Sequence, residues 1–111
     1  MNLVLVGYGK MGKAVEAAAK ERGHTIQQIV DADNTEALSC EHIKDADAAI
    51  EFTSPESAYA NYRQLFACNI PIVTGTTGWL EHIDEIKEKC RTEGQTFFYA
   101  PNFNIGVNIF F

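Results

Sequence analysis

The 111-residue sequence has little of what marks several large classes of protein. Its three cysteines, Cys40, Cys68 and Cys90, are widely spaced. There is no CxxC pair and no histidine beside any of them, so neither a disulfide framework nor a zinc site is expected, and a reduced, cytoplasmic setting fits. No long apolar run is present. The opening Met1-Asn2-Leu3-Val4-Leu5-Val6-Gly7 has no basic region or cleavage site and stops being apolar after a few residues, so it is expected to be neither a signal peptide nor a membrane span. Positive charge is also scarce: nine Lys and Arg stand against fifteen Asp and Glu, a net charge of −6. With no basic cluster to follow a phosphate backbone, nucleic acid is not an expected partner. His24, His42 and His82 show no mutual spacing that suggests a metal site or an acid–base pair, and each reads as a surface histidine. No Ser–His–Asp, Cys–His or paired-carboxylate arrangement stands out, so no catalytic residue is assigned. Without repeats, low-complexity tracts or a break in composition, residues 1–111 read as one domain.

What is present is alternation of strand and helix. Residues 3–6 are a short β-prone apolar run ending in glycine. From Met11 the spacing turns helical, with Met11, Val15 and Ala18 on one face and Gly23 at the end. Residues 25–30 read as a second strand, and residues 33–45 as an acidic loop with a helical turn. Ala48, Ala49, Ile50 and Phe52 form a third strand, and Pro55 opens a helix running to about Cys68. Residues 70–73 form a fourth strand. Leu80, Ile83, Ile86 and Cys90 then mark one face of a helix closed by Gly94, with Asp84, Glu85, Lys87 and Glu88 on its solvated side. A fifth strand covers residues 96–99. This order predicts a doubly wound α/β domain of Rossmann type with a mostly parallel sheet. The commonest strand order, 3-2-1-4-5, places a ligand crevice between strands one and four at their carboxyl ends.

Gly7-Tyr8-Gly9-Lys10-Met11-Gly12 is a GxGxxG motif lying after a strand and opening a helix, where dinucleotide binding needs it. Gly7 permits the tight turn, Gly9 lets the backbone approach a pyrophosphate, and Gly12 lets helix and strand pack closely, with the helix amino terminus facing the phosphates. The net negative charge does not oppose this, because backbone amides supply local positive potential. Asp31, nineteen residues after Gly12 and at the end of strand two, is placed to accept hydrogen bonds from ribose hydroxyls; Asp33 is the alternative. Phe52 and Thr53, then Gly75, Thr76, Thr77 and Gly78, and finally Ala100, Pro101, Asn102 and Phe103 follow strands three, four and five, and converge on the same edge. Small residues and hydroxyls after strand four suit the nicotinamide end of NADH or NADPH, and Phe52 offers apolar support.

Four blocks together resemble the dihydrodipicolinate reductase family: the glycine motif, Glu51-Phe52-Thr53-Ser54-Pro55-Glu56, Gly75-Thr76-Thr77-Gly78 and Asn102-Phe103-Asn104-Ile105-Gly106-Val107-Asn108. The resemblance runs along nearly the whole chain and implies a reductase of lysine and diaminopimelate biosynthesis. Such an enzyme reduces a dihydrodipicolinate-type intermediate to tetrahydrodipicolinate with NADH or NADPH. It implies the pyrophosphate site in the glycine loop, the ribose acid in Asp31, and nicotinamide contacts from residues 75–77 and from Ala100 to Phe103. The glycine loop is one residue shorter than the family's frequent form, and Ala32 stands where some members carry an arginine for NADPH. The family's glutamate-histidine-histidine and lysine segment, in a second domain, has no counterpart here. The chain is therefore expected to be an amino-terminal fragment that binds cofactor without completing the reaction and meets its small-molecule substrate only with the missing domain. The resemblance also implies a homo-oligomer for the full-length enzyme, with no membrane association. Ile105, Val107, Ile109, Phe110 and Phe111 are expected to begin an apolar element that promotes self-association. Another nicotinamide-dependent dehydrogenase, such as a homoserine or aspartate dehydrogenase relative, and a stand-alone nucleotide sensor are the competing readings.

Overall fold

The computed structural model describes residues 1–99, apart from the side chains of residues 32, 35, 55 and 77–79. The expectations for Ala100, Pro101, Asn102, Phe103 and the apolar residues after them lie outside the described residues.

The chain forms β1 (Asn2–Val6), α1 (Lys10–Glu21), β2 (Thr25–Val30), a 3-10 segment (Ala32–Ala37), α2 (Cys40–Ile43), β3 (Ala48–Glu51) and α3 (Pro55–Ala67). β4 (Ile72–Thr74), a second 3-10 segment (Thr77–His82), α4 (Ile83–Glu93) and β5 (Phe97–Tyr99) complete it. The strands form one sheet in the order β2-β1-β3-β4-β5, and every pairing is parallel.

The chain steps from β1 out to β2, returns past β1 to β3, and continues to β4 and β5. Right-handed crossovers then force α1 onto one face of the sheet and the later helices onto the other. The two cores follow this division with a period of two. Leu3, Leu5, Ala48 and Ile50 pack with Val15 and Ala19 of α1. Val4, Val6, Ala49 and Ile72 face Ala58, Tyr62, Leu65 and Phe66 of α3 and Ile86 of α4. Burial on both faces is why these strands read as continuous apolar runs.

The expected strand order requires correction. No strand forms between β2 and β3, because residues 32–43 are taken up by the 3-10 segment and the four-residue α2. The third strand of the chain therefore pairs directly with β1, and the crevice lies between β1 and β3. Other differences are local. The buried face of α1 is Gly12, Val15 and Ala19, while Met11 is exposed and Ala18 half-buried. Phe52 lies just past the end of β3, β4 begins at Ile72, and Leu80 is exposed in the 3-10 segment that precedes α4. His24 and His82 are half-buried rather than on the surface, and the His82 ring stacks on Tyr59 at 3.6 Å. Cys40 and Cys68 form a disulfide, contrary to the reading from spacing. Cys40 opens α2 and Cys68 caps α3, so the fold brings together two residues 28 apart in a way no local motif announces.

Candidate functional site

The sheet register organises the site. Val30 pairs with Val6, Val6 with Glu51, Glu51 with Thr74, and Thr74 with Tyr99, so the carboxyl ends of all five strands lie in one row. The next residues of the first four, Asp31, Gly7, Phe52 and Gly75, therefore start their loops at one edge. Backbone bonds carry the row one step further: Gly7 N–H donates to Val30 O at 2.7 Å, Phe52 N–H to Val6 O at 3.0 Å, and Gly75 N–H to Glu51 O at 2.8 Å.

In the glycine loop the three glycines differ in what surrounds them. Gly7 has φ +105°, and a Cβ there would sit 2.2 Å from the Phe52 carbonyl oxygen, so both conformation and space demand glycine. A Cβ on Gly12 would lie 2.5 Å from the Gly7 carbonyl oxygen and 3.3 Å from the Phe52 ring, which is the close helix–strand approach expected of this position. At Gly9 a Cβ would meet nothing within 4 Å. Packing does not require Gly9 to be small; its bareness leaves open space at the start of α1.

Gly9 caps α1 without a side-chain hydrogen bond, and no acidic residue lies in the first turn. The first N–H groups of a helix have no intrahelical acceptor, and they carry the positive end of its dipole. Lys10 and Met11 are exposed on this turn. Tyr8 is tied back to α1 by donating to Glu16 Oε1 at 2.5 Å, with Lys13 over its ring at 5.7 Å. This bond raises the Tyr8 phenol pKa and holds the Glu16 carboxyl below its ordinary value, helped by Lys20 at 3.0 Å.

Asp31 is exposed at the end of β2. Asn34 shapes its turn: Oδ1 accepts from the Asp31 N–H at 2.6 Å, Nδ2 donates to Ile29 O at 3.0 Å, and the Asn34 N–H donates to Asp31 O at 3.1 Å. Gly7, Tyr8, Gly9, Asp31, Phe52 and Thr53 line one cavity of about 320 Å³, together with Val6, Val30, Ser54, Ser57 and Asn61. Gly75 and Thr76 do not line it. They join it through Thr53, whose N–H donates to Thr76 Oγ1 at 3.0 Å and whose carbonyl accepts from Thr76 Oγ1 at 3.2 Å. Thr77 begins the following 3-10 segment.

The profile of Dihydrodipicolinate reductase, N-terminus, matches residues 1–103. The chain belongs to the dihydrodipicolinate reductase family. The 4-hydroxy-tetrahydrodipicolinate reductase of Christiangramia forsetii is 41% identical over 111 residues, covering 100% of this chain and 46% of that protein. The enzyme of the same name from Staphylococcus epidermidis is 34% identical over 114 residues, covering 97% of this chain and 46% of that protein. The chain thus spans about half the length of these relatives. Among solved structures, a homoserine dehydrogenase from Thermoplasma acidophilum superimposes with a TM-score of 0.64 at 18% identity, covering 89% of this chain and 42% of that one. At that identity the likeness shows the Rossmann-type fold alone.

Ser57 and Asn61, which also line the cavity, are not marked by the sequence, and Ser54 stands in a family block without a site role assigned to it. They fall on one side of α3 at helical spacing, and the Ser54 hydroxyl donates to Ser57 Oγ at 3.2 Å. The signal for them was Pro55: a helix starting there turns positions 54, 57 and 61 toward one side. Tyr62 and Thr74 are likewise unmarked, and Glu51 opens that family block with no role assigned; all three are buried. Nothing in their spacing distinguishes them from core positions. Burial pushes the Tyr62 phenol pKa well above its usual range.

Proposed function

We propose that the chain is the cofactor-holding part of a cytoplasmic dihydrodipicolinate reductase, binding NADH or NADPH across the crevice between β1 and β3. The observation that carries this reading is the row at the sheet edge, where the loops beginning at Asp31, Gly7, Phe52 and Gly75 start side by side. The residues present fit such a group: the glycine loop is open over Gly9 and sits before an uncapped helix amino terminus. Gly7, Tyr8, Gly9, Lys10, Met11 and Gly12 would hold the pyrophosphate, and Asp31 the adenosine ribose. Phe52 and Thr53 form the wall between the two halves of the cofactor, and Gly75, Thr76 and Thr77 the nicotinamide side. Ala100, Pro101, Asn102 and Phe103 supply the second nicotinamide-side segment in this proposal. When bound, the reduced nicotinamide supplies the hydride. Reduction of a dihydrodipicolinate-type substrate further requires a proton donor and substrate-binding cations, which we assign to sequence outside this chain.

Asp31 repels a 2′-phosphate, whereas Lys10, at the first residue of α1, attracts one. The opposition favours weak discrimination. In calorimetric titration, NADH and NADPH are expected to bind one site each, with dissociation constants within roughly tenfold, or about 1.4 kcal/mol. Absence of saturable binding by either contradicts the proposal.

A further inference from the structure

Glu51 is the only charged side chain among the buried described residues, with 0% exposure. It is the last residue of β3, and the strand alternation points it toward the α3 face, where Ala49 packs among apolar residues. A carboxyl group in such a place is costly unless donors surround it, and a residue of apolar shape would fit the core without that cost. None of the described ion pairs involves Glu51.

Its partners are hydroxyls and an amide drawn from the loop after β3 and the last residue of β4. Glu51 Oε1 accepts from the Thr74 hydroxyl at 2.6 Å. Glu51 Oε2 accepts from the Thr53 N–H at 3.0 Å and from the Thr53 hydroxyl. Proton counting then fixes the direction of the remaining bonds. The Thr74 hydroxyl has given its hydrogen to Glu51, so it accepts from Tyr62 OH at 2.9 Å and from the Thr76 N–H at 3.1 Å. The Thr53 hydroxyl likewise accepts from Asn61 Nδ2 at 3.4 Å. Three of these donors, the Thr74 hydroxyl and the N–H and hydroxyl of Thr53, converge on the one carboxyl group.

We infer that Glu51 is a positioning residue for the cofactor: through Thr53 and Thr74 it fixes the loop after β3 against the turn after β4. Residues 52–54 line the cavity and Thr76 is bonded to Thr53 without lining it, so in the cofactor reading the separation of these two segments sets where the two ends of the dinucleotide rest. This rests on the cofactor reading above. Neither Glu51 nor Thr74 lines the cavity, and their effect passes through Thr53 and Thr76.

The test uses Thr74→Val, which keeps shape and removes the hydroxyl, Thr74→Ser, which restores it, and Glu51→Gln. Ile43→Val, a core change on α2 away from the cavity, controls for lost stability. NADH affinity is measured by calorimetry at a temperature where circular dichroism shows each chain folded, and amide exchange of Thr53 and Thr76 is followed by NMR. Thr74→Val and Glu51→Gln are expected to weaken NADH about tenfold or more and to speed exchange at both amides. Thr74→Ser and Ile43→Val should stay close to the unaltered chain. Unchanged affinity in Thr74→Val, or an equal loss in Ile43→Val, overturns the inference and leaves the cofactor reading standing. Failure of the unaltered chain to bind NADH overturns both.

Discussion

Gly7, Gly9 and Gly12 share a motif but not a physical reason for being glycine. Alanine at Gly7 places a Cβ 2.2 Å from the Phe52 carbonyl oxygen, in a backbone conformation with φ +105°. Alanine at Gly12 approaches the Gly7 carbonyl oxygen to 2.5 Å. Both neighbours are backbone and cannot swing aside, so each substitution is expected to cost about 2–4 kcal/mol. Gly9→Ala should be nearly neutral, since its φ of −82° suits any residue and its surroundings are empty. Urea midpoints for the three variants check this, and equal midpoints would contradict it. The motif itself was legible in the sequence, as was Asp31 from its spacing. Which glycine serves the fold and which has open space beside it was not, because the atom that crowds Gly7 belongs to Phe52, far along the chain, and the one that crowds Gly12 is brought there only by the fold of the loop. Glu51 was hidden for a similar reason: Thr53 lies two residues on, but Thr74 meets it only when β3 and β4 pair.

At the scale of elements, the long periodic segments were readable and the short ones were not. β2 was placed with its observed bounds, and α3 was placed to within a residue at either end, because Pro55 and the apolar spacing mark it. α1 was found with its buried face turned by about one residue, since Met11 resembles a core residue but sits on the open first turn. The 3-10 segment at Ala32–Ala37 and α2 carry no period, being too short to show one. The Cys40–Cys68 link joins α2 to the end of α3 across 28 residues of chain. Closing a loop of that length restricts the unfolded chain, and opening it is expected to cost about 3–4 kcal/mol of stability. Urea unfolding with and without reductant, alongside Cys40→Ser, measures this; coincident curves would contradict it. In the cytoplasmic setting we propose, thiol buffers disfavour disulfides, so the link is expected to be open there and closed in oxidised protein.

For the molecule as a whole, the doubly wound class followed from alternating strand and helix, while the position of the crevice depended on one missing strand. With no strand between β2 and β3, the reversal of chain direction falls at β1, and β3 occupies the place next to it. The row of strand ends then gathers loops that are far apart in sequence, and under the cofactor reading we propose, backbone amides at this row let an acidic chain of net charge −6 receive an anionic dinucleotide. We propose that the pyrophosphate lies in the open space over Gly9. Gly9→Val tests it most directly, because its Cβ meets no protein atom within 4 Å and the side chain enters that space at the cost of a poorer helix cap, about 1 kcal/mol. Calorimetric titration with NADH, paired with a melting curve, should show saturable binding by the unaltered chain, none by Gly9→Val, and melting temperatures within a few degrees of each other. Equal NADH affinity in the two chains would contradict the account.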